Sequence, residues 1–364
     1  MHIAFLDSWI QSVVEGSGTA AAIGGLRGAL IARGHRIARL APPTAWPRNL
    51  TQRRLLFNLQ LPALLRALPY DLVVGVDIDG WLWSGARGGR PYLASIKGVI
   101  AEEMQHESGR TRLLFELLSR LEGANARRAD AVLTTSEYCR DAIKRHYRVP
   151  AERVRLVPEG IDLARWRRML AAQPCASDGM TILCVARHYP RKHIADLLRA
   201  LPAVRRVVPR ARAVIVGDGP EHSNLRALSA QLGLDDAVQF LGSLPDDTQV
   251  ARCYRQADVF CMPSVQEGFG IVFLEAMAAG LPIVATCSAA IPEVVPHGQA
   301  GSLVAPGDVA ALAEALSALL QNPEQRAAYG TFGKHYVEQY EWGRVAGLFL
   351  EQVGPFTGGD ARLR

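Results

Sequence analysis

Residues 257–286 constrain this chain more than any other stretch. Ala257-Asp-Val-Phe-Cys-Met262 is an apolar run closed by Pro263, and Pro282-Ile-Val-Ala-Thr286 is a second. Short runs of β-branched and aromatic residues bounded by turn residues read as buried strands. Between them Gly268 and Gly270 mark a turn. A helical stretch then ends at Gly280, with Pro282 just beyond as a stop signal. A strand, a turn, a helix and a second strand in close succession form the repeating unit of a parallel sheet. The fold class is therefore α/β.

The chemistry of this unit lies in two carboxylates. Glu267 falls in the turn at the carboxyl end of the first strand, and Glu275 falls about one turn into the helix, on the same crevice. Gly268 and Gly270 leave the backbone bare at the helix start, where free N–H groups and the helix dipole favour an anionic ligand. An acid at each end with amides between them suits a ligand with hydroxyls at its ends and phosphate in its middle, as in a nucleotide sugar. The bland alternative is an ordinary crossover whose glutamates are solvated.

The string Glu267-Gly-Phe-Gly-Ile-Val-Phe-Leu-Glu275-Ala-Met-Ala-Ala-Gly280 resembles the E-x7-E signature of retaining glycosyltransferases of family GT4. The resemblance implies the GT-B fold, two doubly wound Rossmann-like domains facing across a cleft. It also implies transfer of a sugar from a nucleotide-diphosphate sugar, UDP- or GDP-linked, to an acceptor hydroxyl. Glycolipid, polysaccharide or other glycoconjugate synthesis would be served.

A chain of 364 residues is long enough for two such domains. The expected division is 1–166 and 167–341, with 167–179 as a linker and a C-terminal helix over about 342–364 packing back on the first domain. The six cysteines are scattered, without zinc spacing, as in a reduced cytosolic protein. The amino terminus reads as a strand rather than a signal peptide. No apolar run approaches the roughly 20 residues of a bilayer span. The expected location is cytoplasmic, free or peripheral to the inner face of the membrane. Residues 1–170 hold 25 Lys/Arg against 16 Asp/Glu, and the remainder 16 against 19, so the net charges are +9 and −3. A basic first half suits contact with an anionic membrane surface or acceptor. No nucleic-acid motif accompanies it, so nucleic acid is not an expected partner.

In the first half, the loop after the first strand carries Gly16, Ser17 and Gly18, and Ala32-Arg-Gly-His-Arg-Ile37 resembles the family's segment ahead of the second strand. The resemblance places Gly16, Ser17 and Gly18 against the donor's diphosphate. Residues 48–68 read as two basic, leucine-rich helices divided at Pro62, with solvated arginines or a lipid-facing side. Asp77 and Asp79 are expected to cap a loop or face the acceptor. Lys97 stands where the family commonly has histidine, and with His106 it is a candidate acceptor-side catalytic group. Leu113, Leu114, Leu117, Leu118 and Leu121 recur at helical spacing. Val154 to Asp162 resembles the family's crossing into the second domain, with Glu159 in place of the usual asparagine.

In the second half, Arg187-His-Tyr-Pro-Arg-Lys192-His193 resembles the family's G-R-L-x-x-x-K-G motif, with His193 where glycine is usual. Arg187 and Lys192 carry over as the cations that hold the departing diphosphate, and Glu267 joins them as a catalytic candidate. Gly217, in a V-G-x-G-P turn, and Leu241 carry over to the nucleotide. The amides of Gly268, Phe269, Gly270 and Ile271 and the carboxylate of Glu275 complete the donor set. Fixed cations make a metal unnecessary, and no cofactor beyond the donor is expected. Two competing readings are a nicotinamide-dependent oxidoreductase using Gly16-x-Gly18-x-x-Ala21 and a catalytically silent sugar-nucleotide sensor on the same fold. The sequence leaves open the donor's base, its sugar and the acceptor.

Overall fold

The computed structural model describes residues 1–9, 18–43, 49–66, 69–174 and 177–357. Gly16 and Ser17 lie outside them. The chain divides into two compact units, Met1–Gly160 with Trp342–Arg364, and Ile161–Glu341.

The first unit alternates strand and helix: β1 (His2–Leu6), α1 (Gly18–Ala32), β2 (Arg36–Leu40), α2 (Leu50–Arg66), β3 (Leu72–Val76), β4 (Tyr92–Ile96), α3 (Ile100–Glu103), α4 (Gly109–Arg128), β5 (Ala131–Thr134), α5 (Glu137–Tyr147) and β6 (Val154–Leu156). All six strands are parallel, in the order β2-β1-β3-β4-β5-β6. Every residue of β3 and β4 is buried. Helices cover both faces, so such strands read as unbroken apolar runs rather than alternating ones.

Two expectations about residues 48–68 fail. Residues 50–66 form one helix with Pro62 inside it, because Phe57, Leu61 and Leu65 bury a continuous face across the proline. Its Arg53 and Arg54 are buried rather than solvated. Arg53 donates to the Pro42 and Ser8 carbonyls, and Arg54 pairs with Asp77 at 2.7 Å. In α4 only Leu118 of the five spaced leucines is buried, and Leu113, Leu114 and Leu117 face solvent.

The second unit begins with α6 (Leu163–Ala171), β7 (Thr181–Val185), α7 (Ile194–Val207), β8 (Arg212–Val216), α8 (His222–Gln231) and β9 (Val238–Gly242). It continues with α9 (Asp247–Gln256), β10 (Val259–Met262), α10 (Ile271–Ala279), β11 (Ile283–Thr286), α11 (Ile291–Val294), β12 (Gly301–Val304), α12 (Val309–Gln321) and α13 (Pro323–Tyr336). Its sheet is also six-stranded and parallel, ordered β12-β11-β10-β7-β8-β9. The start of the expected linker is thus helical. Leu163, Trp166 and Leu170 bury one stripe of α6, and the Asp162 side chain caps it through the Arg165 amide at 2.8 Å. The stripe begins before residue 167, so the expected boundary cut through it.

The last helix, α14 (Trp342–Thr357), returns to the first unit and lies against α1. The indole of Trp342 fills the space above Gly25 and Gly160, where an added Cβ would stand 2.2 and 2.5 Å from ring atoms.

Candidate functional site

In the second unit the chain runs outward from β7 through β8 to β9 on one side. On the other it runs outward from β10 through β11 to β12. The adjacent strands β7 and β10 therefore send their following loops in opposite directions, which opens a crevice at their carboxyl ends. The β7 loop carries Arg187 to His193, and the β10 loop carries Ser264 to Gly270.

The two loops are tied together. The Val265 amide donates to the Arg191 carbonyl at 2.9 Å, and the Ser264 hydroxyl donates to the same oxygen at 3.1 Å. On this base Lys192 Nζ lies 2.5 Å from Glu267 Oε1, with side chains 13% and 9% exposed. A charge-assisted contact this short and this sheltered fixes both groups. Two guanidinium groups lie over the Tyr189 ring, Arg187 at 5.9 Å and Arg191 at 4.9 Å from its centroid. His193 has φ +48°, the left-handed region that explains why glycine is usual there. Here a contact of its Nδ1 with Asp196 at 2.9 Å holds the histidine in place.

The helix after the β10 loop opens at Gly270, with φ +93° and Phe273 packed where a Cβ would stand. Phe269 turns its ring into the core against Tyr340, so only its backbone is left for a ligand. Gly268 precedes it, and Ile271 starts α10. Glu275 lies one turn on, and its Oε2 accepts from the Tyr254 hydroxyl at 2.9 Å. Burial pushes this carboxyl up to about 7, against the lowering effect of that hydrogen bond. Gly217 and Leu241 sit at the carboxyl ends of β8 and β9, and the Gly217 amide donates to the Gly242 carbonyl at 2.8 Å.

Beside Arg187, His188 is fully buried and faces His222, their Nδ1 atoms 3.1 Å apart and their rings nearly parallel. The Asp218 carboxylate lies 3.7 Å from His222 Nδ1, so the three form a candidate metal cluster. A metal on His188 Nδ1 would force the ring proton onto Nε2, which is buried and meets no acceptor. Burial also depresses the His188 imidazole to about 4. The donors fit a hydrogen-bonded imidazole pair better than they fit a metal.

The first unit has its own switch point, between β1 and β3. Asp77 and Asp79 follow β3 and meet the chain's own donors. Asp77 Oδ2 accepts from Arg54 and Trp9, and Asp79 accepts from the Ser8 amide, the Ser8 hydroxyl and Asn58. Lys97 follows β4 and pairs with Glu159. His106 ends a short 3-10 turn, Met104–His106, after α3, and Gly18 begins α1.

The structure thus brings Lys192 and Glu267 into contact and puts Arg187, Gly268, Phe269, Gly270 and Ile271 on the two loops at the same crevice. Sequence reasoning missed Tyr254, the two facing histidines and the partners of Lys97 and Arg54. Each is joined to its contact only through the sheet, and no local spacing marks it.

Comparison with known proteins adds the following. Residues 18–165 match the model described as Glycosyltransferase Family 4, and residues 170–336 the model described as Glycosyl transferases group 1. A curated relative from Mycobacterium tuberculosis is 34% identical over 315 residues, covering 80% of this chain and 79% of its own length. It is described as GDP-mannose-dependent alpha-(1-6)-phosphatidylinositol monomannoside mannosyltransferase. A phosphatidyl-myo-inositol mannosyltransferase of Mycobacterium leprae is 44% identical over 174 residues, 47% of this chain and 46% of that one. Among solved structures, sucrose-phosphate synthase from Thermosynechococcus elongatus superposes with a TM-score of 0.79 at 24% identity, over 97% of this chain and 99% of that one. The last similarity concerns the fold.

Proposed function

This chain belongs to the family 4 glycosyltransferases, and on that premise we propose that it moves mannose from GDP-mannose to a hydroxyl of a lipid-borne cyclitol or sugar, with retention of configuration. The observation that carries the reading is the sheltered Lys192–Glu267 pair at the β7/β10 crevice, with Arg187 on the same loop. In this reading Lys192 and Arg187 hold the diphosphate, and Glu267 with the amides of Phe269 and Gly270 holds the sugar. Glu275 takes the ribose hydroxyls. The bond from the anomeric carbon to the phosphate oxygen breaks, and the acceptor oxygen bonds that carbon on the same face. The acceptor's proton passes to the departing phosphate. Fixed cations stabilise the charge that develops there. Mannose and the lipid acceptor come from the relatives' descriptions, and the family membership displaces the oxidoreductase alternative.

Helix α4 supports a peripheral place on a bilayer. Leu113, Leu114 and Leu117 are exposed among Arg110, Arg112 and Arg120, and no helix among the described residues is long and apolar enough to cross a membrane. One experiment addresses donor, acceptor and membrane together: the purified chain with radiolabelled GDP-mannose and anionic vesicles containing phosphatidyl-myo-inositol. Label in the lipid extract and co-sedimentation of the chain are expected. Transfer from a UDP-sugar alone would overturn the donor, and no release of sugar from any donor would favour the silent sensor.

The position of Glu275 gives a pH dependence. A ribose diol donates to the carboxylate and not to the carboxylic acid, so affinity should fall as pH drops through about 7. Guanosine, which has no phosphate to titrate, is the probe. Its calorimetric affinity should weaken from pH 8 to pH 6, and in Glu275→Gln it should be flat. Equal slopes in both proteins would remove Glu275 from the ribose.

A further inference from the structure

Lys97 and Glu159 are 62 residues apart in sequence and meet at the carboxyl end of the first unit's sheet. Lys97 directly follows β4, and Glu159 lies beyond β6. Lys97 Nζ and Glu159 Oε1 stand 3.1 Å apart, with side chains only 11% and 5% exposed. Among the described residues Glu159 is the only partner of that ammonium, so one of its three donors is used. The other carboxylate oxygen, Glu159 Oε2, is buried without any hydrogen-bond partner.

Buried polar atoms are nearly always satisfied, so an orphaned acceptor beside unfilled donors points to a missing ligand. The neighbours argue for the ligand's type. Asp77 faces the pair from β3, its Oδ1 at the Lys97 amide and its Oδ2 held by Arg54 and Trp9. Burial and the Asp77 charge hold the Glu159 carboxyl above its usual range, and Lys97 opposes them. A lone lysine here would draw a phosphate. With Glu159 in contact its charge is cancelled, and the pair offers spare N–H donors next to an empty lone pair. Adjacent hydroxyls of a neutral ring match that set, one donating to Oε2 and its neighbour accepting from Nζ. Open α/β sheets take their ligands at this end of the strands.

We infer that Lys97 and Glu159 together form a hydroxyl-binding subsite for the polyol ring of the acceptor. The inference rests on the glycosyl-transfer reading for its substrate, but it assigns a binding role to Glu159 and a neutral ligand to Lys97.

The test separates the two readings. With GDP-mannose as donor and phosphatidyl-myo-inositol vesicles as acceptor, Glu159→Gln should raise the acceptor KM about tenfold or more, the scale on which a site built to hydrogen-bond a hydroxyl discriminates. The GDP-mannose KM should stay at the wild-type value. An unchanged acceptor KM, or an equal rise in both constants, would overturn the subsite. Should the single variant unfold, the double variant Lys97→Gln with Glu159→Gln keeps a side-chain hydrogen bond without charge and should show the same split. If no donor is turned over at all, the transfer reading fails while the subsite stays testable. Saturation-transfer NMR with myo-inositol and methyl mannoside should detect binding to the wild-type chain and lose it in Glu159→Gln. No signal from either ring with the wild-type chain overturns the subsite.

Discussion

Lys192→Ala is expected to cut turnover by about 10²–10³-fold, the usual cost of removing one fixed group that stabilises developing negative charge. The structure adds a second effect. Lys192 is the counter-charge of Glu267 at 2.5 Å, and both are largely sheltered. Removing one member of a buried pair strands the other, which costs up to roughly 3–5 kcal/mol for full burial and less at this partial exposure. A lower Tm should therefore accompany the loss of rate. Glu267→Gln should keep more of the stability, because an amide oxygen can still accept from Lys192. Rates at saturating GDP-mannose, set beside calorimetric Tm values, separate the two effects. Turnover within threefold of wild type in Lys192→Ala would remove the residue from the catalytic set.

Gly217→Ala should be the most damaging single methyl group in the second unit. Gly217 has φ +123°, and a Cβ there would stand 1.9 Å from the Ala186 carbonyl oxygen and 2.8 Å from its carbon. No flexible side chain can yield, because both atoms are backbone. The two turns are also locked by the His188 amide to the Asp218 carbonyl and the Glu221 amide to the His188 carbonyl, each at 2.9 Å. Strain at such a φ costs about 1–3 kcal/mol, and forcing the turns apart adds a comparable amount. For a unit of this size that corresponds to a Tm lower by about 10 °C. Differential scanning calorimetry checks it, and a shift under 3 °C would show that the two turns do not pack as described. The same substitution should weaken nucleotide binding, since it displaces Arg187 with its turn.

Gly217 also shows what was legible and what was not. The family-like glycine pattern singled out its turn as a candidate for the nucleotide. Its steric necessity, the approach of the β8 turn to the β7 turn, exists only once the sheet is assembled. The unit over 257–286 was readable because its signals are local: Gly280 has φ +77° and caps α10, Pro282 precedes β11, and both strands are buried throughout. Lys97 and Glu159 had looked like two separate departures from the family pattern. In space they are one substitution, a lysine and the acid that neutralises it. Arg53 and Arg54 read as solvated because charge normally marks a solvent face, yet carbonyls and an aspartate from other elements pair them. The leucine spacing marked α4 as a helix, as the structure has it, but spacing alone cannot say whether an apolar stripe meets a core.

The return of the chain as α14 sets the order in which the protein can mature during synthesis. The second unit is one uninterrupted segment, complete once Glu341 has left the ribosome. The first, although its opening 160 residues are made earliest, lacks the indole that fills the gap between Gly25 and Gly160 until Trp342 follows. Of the two halves, the one whose strands are made first is thus the one finished last, because its closing helix follows the whole second unit in sequence.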